Sequence, residues 1–194
     1  MNTEQTEFDA EELVHIAMNA MNNKDVETSL RSLKASIQKK PDYAQAHFLL
    51  GAQYAEIGMI DRALEEMRAS IKLVPDFWIA RFQLGFLLLT LTRADEAAEV
   101  WGPLDEIGDE HPLLLFKKGL LSLANDEFGT ARRLLIEGIE RNNVNHALNR
   151  DMAMIIERID RLTAEAAPAD AGKQDDPAEE LQHLAVAAYQ DKSH

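Results

Sequence analysis

One spacing dominates this chain. Gly51, Gly85 and Gly119 stand 34 residues apart, and so do Ala63, Ala97 and Ala131, and so do Phe48, Phe82 and Phe116. Pro41-Asp42-Tyr43 is echoed at the same interval by Pro75-Asp76-Phe77. Independent residue sets sharing one period mean that a supersecondary unit is repeated, each unit burying its apolar face against its neighbours. The period places four units at 10–43, 44–77, 78–111 and 112–145.

Within a unit the pattern is helical, and strand signals are nearly absent. The eighth residue is small in every unit (Ala17, Gly51, Gly85, Gly119), and so is the twentieth (Ser29, Ala63, Ala97, Ala131). Small side chains at these two places let two helix backbones approach, while large apolar residues fill the space between them. Pro41 and Pro75 end the second helix of their units, and Asp42 and Asp76 are expected to cap the next first helix. Pro103, beside Gly102, should kink or shorten the second helix of unit three. Lys118, Asp109 and Asn143 depart from the pattern.

These residues carry a family resemblance. Unit two has Leu50-Gly51, Tyr54, Ala63, Met67, Ser70 and Pro75; unit three has Leu84-Gly85, Leu88, Ala97 and Trp101. Unit one has Ile16-Ala17, Ser29, Leu33 and Pro41, and unit four has Gly119, Ala131, Leu135 and Gly138. Over about three quarters of its length the chain resembles the tetratricopeptide repeat family. The resemblance implies an all-α fold, a right-handed α-solenoid of about four 34-residue helix–turn–helix units.

The remaining segments read differently. Residues 1–9 form an N-terminal arm, with neither a basic start nor an apolar run, so a secretory signal is not expected. Residues 146–163 carry Leu148, Met152, Ile155, Ile156, Ile159 and Leu162 at helical spacing, with Arg150, Asp151, Glu157, Arg158 and Arg161 expected on the opposite face. This is the pattern of a capping helix for a repeat array. Residues 164–178 have linker composition. Residues 179–194 form a short amphipathic tail whose apolar stripe is Leu181, Leu184, Ala185, Ala188 and Tyr189.

Charge and composition narrow the function. Net charge is −14, which repels phosphate backbones and anionic lipid heads, so no nucleic-acid partner is expected. No apolar run is long enough for membrane insertion. The absence of cysteine removes disulfides and thiolate chemistry and fits a reducing, cytoplasmic setting. His15, His47, His111, His146, His183 and His194 never fall at a helical metal spacing, and no phosphate-binding glycine loop occurs. No enzyme activity, catalytic residue, cofactor or metal is expected.

The resemblance also implies where a partner sits. In the family the first helix of each unit lines a concave groove. The corresponding residues are Val14, Met18, Phe48, Ala52, Ile79, Phe82, Phe86, Leu89, Leu113, Phe116, Leu120 and Leu123. That groove is apolar, and Phe48, Phe82 and Phe116 are expected to face outward into it. The Lys, Asn and Arg clamp by which some relatives hold an acidic C-terminus is missing, and Glu11 and Glu56 near the groove would tolerate a ligand with some Lys or Arg. The expected function is a protein-binding adaptor, scaffold or chaperone holding an apolar or amphipathic segment of another protein. Two alternatives stand beside it: a homo-oligomeric scaffold whose groove takes its own Leu181–Tyr189 segment, and a secretion-system chaperone.

Overall fold

The structure is a computed structural model, and residues 8–165 are described. Among them every regular element is helical. The first helices of the units are α1 (Ala10–Asn22), α3 (Ala44–Glu56), α5 (Trp78–Thr90) and α7 (Pro112–Ala124). The second helices are α2 (Val26–Lys39), α4 (Ile60–Leu73), α6 (Ala94–Trp101) and α8 (Phe128–Arg141). A last helix, α9, runs His146–Glu165. The chain divides into two compact units, one up to Leu84 and one from Gly85, so the division falls inside α5.

The four intra-repeat turns repeat in detail. The amides of Asp25, Met59, Arg93 and Glu127 donate back to the carbonyls of Ala20, Tyr54, Leu88 and Ser122 at 2.9, 2.8, 3.0 and 2.9 Å. This six-to-one bond closes the first helix and satisfies one of its last carbonyls. It requires a left-handed residue just before the donor. Lys24, Gly58, Thr92 and Asp126 stand there, with φ of 59°, 76°, 57° and 59°. Only the second repeat uses the residue that adopts this conformation without strain.

The helix pairs pack as the small residues require. A Cβ at Gly85 would lie 2.2 Å from Trp101 Nε1, so the glycine is the socket for the fully buried indole. Gly51 and Gly119 give the same clearance to Met67 and Leu135. In the first two repeats a buried serine adds a bond: Ser36 Oγ donates to the Ala10 carbonyl at 2.7 Å and Ser70 Oγ to the Ala44 carbonyl at 2.8 Å. Each hydroxyl joins the end of a second helix to the start of its first. The expected core residues Leu50, Tyr54, Leu84 and Leu88 are all buried.

Repeat three departs where Pro103 predicts. α6 has 8 residues against 14 for α2, α4 and α8, and the chain continues as a 3-10 helix over Gly102–Glu106. Lys117 on α7 holds this segment: its buried ammonium donates to the Trp101 carbonyl at 3.1 Å and to Asp105 at 2.7 Å. In place of a closing proline, repeat four ends on Asn142. Its side chain accepts from the Asn145 amide, donates to the Asn145 carbonyl and bonds Asn149 on α9.

The capping expectation is corrected. Tyr43, not Asp42, precedes α3, and it makes no side-chain cap bond. Asp76 supplies its main-chain carbonyl to the Trp78 amide at 2.8 Å. Both aspartates lie too early in the connector to reach the free amides of the helix. Side-chain caps form instead at α1, where Asp9 and Glu12 make a reciprocal capping box, and at α7, where His111 Nδ1 accepts from the Leu113 amide at 3.2 Å.

Candidate partner-binding face

Residues four apart on a helix share a face, so Phe48, Ala52 and Glu56 form one stripe along α3. All three are half-buried. The Phe48 ring meets Phe77 edge to face, with centroids 5.4 Å apart and planes at 68°. Met18, the equivalent of Ala52 one repeat earlier, is exposed on α1, which touches α3, and Ile79 at the start of α5 is half-buried. Met18, Phe48, Ala52 and Ile79 therefore leave accessible apolar surface in the first compact unit.

The other expected groove residues do not. Val14, Phe82, Phe86, Leu89, Leu113, Phe116, Leu120 and Leu123 are buried. The expectation that Phe82 and Phe116 face outward is corrected, since both are 0% exposed. For Phe116 the cause is local. A Cβ at Gly138 on α8 would lie 2.4 Å from Phe116 Cε1, so the ring fills the place left by that missing side chain. α5 and α7 are also apolar on most sides, and most of their residues are buried.

The polar part of the face was harder to see in the sequence. Gln53 is fully buried. Its amide donates from Nε2 to the Glu56 carboxylate at 3.1 Å, and its Oε1 lies 2.7 Å from Ser29 Oγ on α2. A carboxylate only accepts, so the amide nitrogen faces Glu56 and the amide oxygen takes the Ser29 hydroxyl proton. The signal for this chain is a glutamine, Gln53, between apolar first-helix residues, and its meaning needs Ser29 from the preceding repeat. Other polar residues have structural partners. His47 on α3 meets Glu66 on α4 at 2.6 Å and the Pro41 carbonyl at 3.0 Å. Burial lowers the pKa of His111, in keeping with a ring nitrogen that accepts a backbone proton. Lys118 pairs with Asp109 at 3.3 Å. The tail residues Leu181, Leu184, Ala185, Ala188 and Tyr189 lie outside the described residues.

No family model matches the sequence, and no curated protein does. Solved structures do. The chain is similar to one in the crystal structure of the APC/C hetero-tetramer Cut9-Hcn1, with TM-score 0.68, 14% identity, 93% of this chain and 32% of that one covered. It is similar to PilW, a widely conserved type IV pilus biogenesis factor, with TM-score 0.65, 17% identity and 96% and 79% covered. YrrB, described as a TPR protein with an unusual peptide-binding site, matches at TM-score 0.55 and 15% identity, with 93% and 86% covered. The fold is that of the tetratricopeptide repeat. At these identities the likeness is one of fold, and the chain spans about a third of the Cut9-Hcn1 chain it matches.

Proposed function

We propose that this tetratricopeptide-fold chain is a non-catalytic protein-interaction module that holds an apolar or amphipathic segment of a partner protein on the first helices of its first compact unit. The carrying observation is the accessible apolar set of Met18, Phe48, Ala52 and Ile79, which the fold leaves uncovered while it buries the equivalent residues further along. The described YrrB site supports the reading, since a related fold there binds a peptide. Such a role calls for no cofactor and no metal. We place it in the cytoplasm, as an adaptor, scaffold or chaperone; no helix among the described residues is long and apolar enough to cross a membrane.

The test is partner capture by the full chain and by a Phe48→Ala/Ile79→Ala variant whose helicity is checked by circular dichroism. Full burial of an aromatic side chain contributes about 1.5–3 kcal/mol. The variant should therefore bind at least about tenfold more weakly. Capture at unchanged affinity by a folded variant would place the binding surface elsewhere. Deleting 165–194 tests the self-association alternative in the same assay: a tail that occupies the face competes with the partner, so its loss would raise affinity.

A further inference from the structure

Glu56 stands apart from the other carboxylates of its kind. The half-buried glutamates among the described residues are Glu56, Glu66, Glu96 and Glu137. Glu66 meets His47 at 2.6 Å, Glu96 meets Arg93 at 2.6 Å, and Glu137 meets Arg141 at 3.0 Å. Among the described residues no Lys, Arg or His pairs with Glu56, whose carboxylate takes its hydrogen bond from the neutral Gln53 amide. The carboxylate is held in place by two buried polar side chains, Gln53 directly and Ser29 through it. One amide hydrogen bond leaves most of its acceptor capacity free.

From this we infer that Glu56 is the cation-reading end of the partner-binding face, and that the segment it accepts carries an Arg or Lys a fixed distance from an apolar anchor. The inference rests on the partner-binding reading above and adds the chemistry of the ligand. Phe48 and Glu56 are eight residues apart on one helix face, about 12 Å at the helical rise. Ala52 between them is small enough to leave room for the ligand's backbone. A helical ligand spans the same distance between residues seven or eight apart, so its apolar side chain meets Phe48 as its cation meets Glu56. A net charge of −14 also favours the approach of a cationic segment.

The experiment is a fluorescence-anisotropy titration of the full chain with labelled amphipathic helical peptides. Each carries a leucine anchor and, three, seven or eleven residues on, an Arg or a Gln. The Arg peptide at spacing seven should bind about tenfold more tightly than its Gln counterpart, the expected size for one charge-assisted hydrogen bond. Glu56→Gln, a shape-conserving change at a half-exposed site, should bring the Arg peptide down to the Gln level and leave the Gln peptide unchanged. Phe48→Ala should weaken all peptides alike. Equal binding of Arg and Gln peptides to the wild type, with Phe48→Ala still weakening both, overturns the role of Glu56 and leaves the face intact. An Arg preference that survives Glu56→Gln overturns it too. No binding of any peptide to the wild type overturns both readings.

Discussion

Helices α3 and α7 occupy the same place in repeats two and four, yet they present different surfaces. On α3, Phe48 is half-buried beside Phe77 and Ala52 is half-exposed. On α7, the equivalent Phe116 and Leu120 are buried. For the aromatic, the difference coincides with one residue on the second helix. Repeat two has Ser70 there, spending its hydroxyl on the Ala44 carbonyl; repeat four has Gly138, whose missing side chain the Phe116 ring occupies. A serine closes the pair by a hydrogen bond and leaves the aromatic free for other contacts. A glycine closes it by admitting the aromatic. For Phe116, burial is thus set by its partner across the repeat as much as by its own register.

The largest test is to convert repeat four into repeat two. Gly138→Ser puts a Cβ 2.4–2.5 Å from two Phe116 ring atoms, closer than any real contact, so the ring must leave. Overpacking costs about 1–3 kcal/mol. With the burial lost by the displaced ring the total should be about 3 kcal/mol, read as a lower urea midpoint. The reverse change, Ser70→Gly, removes one buried hydrogen bond and adds a helix-interior glycine, each about 1 kcal/mol. A Gly138→Ser loss under about 1 kcal/mol would show that the ring has another berth and that the serine–glycine contrast does not govern exposure.

Much of the fold was legible in the sequence for a definite reason. Close packing forbids side chains at Gly51, Gly85 and Gly119 and demands bulk at Met67, Trp101 and Leu135, so the packing rule is written in residue size at fixed spacing. Pro103 was equally plain, because a residue without an amide proton cannot continue a helix unaltered. The burial of Phe82 and Phe116 was not legible, because register names the face and not what lies across it. For Phe116 the answer was Gly138, 22 residues on, which reads equally well as one more small helix-packing residue. The Ser29–Gln53–Glu56 chain was hidden for a related reason, since its first member belongs to another repeat.

A second test sharpens the size rule at its most crowded point. Gly85→Ala drives a methyl into the Trp101 indole, where three ring atoms lie within 2.2–2.5 Å, and should cost about 2 kcal/mol. In a Trp101→Leu background the same change recreates the Ala and Leu of repeat one, Ala17 and Leu33, both fully buried. Trp101→Leu alone leaves a void and destabilises. Adding Gly85→Ala to it should cost at least about 1 kcal/mol less than adding it to the wild type, a coupling that a double-mutant cycle in urea resolves. Additive costs would mean that the glycine serves something other than the indole.

The smallest effect lies in the turns and is a matter of sign. The four turns share one hydrogen bond and one left-handed residue, but the residue differs: Lys24, Gly58, Thr92 and Asp126. A β-branched side chain is the worst fit to that conformation, which costs an L-residue about 1–2 kcal/mol. Thr92→Gly removes that strain, although glycine gives back about 0.4–1 kcal/mol through the freedom of the unfolded chain. The Thr92 hydroxyl contact to the Leu91 carbonyl, exposed and one residue away, adds little. The net is a gain of about 0.5 kcal/mol in repeat three, whereas Gly58→Thr in repeat two should lose about as much. Urea midpoints moving in these opposite directions would show that the turns are equivalent in geometry and unequal in strain. A Thr92→Gly variant less stable than the wild type would mean that the third turn is set by its side chain, and the equivalence of the four turns would end at their backbone.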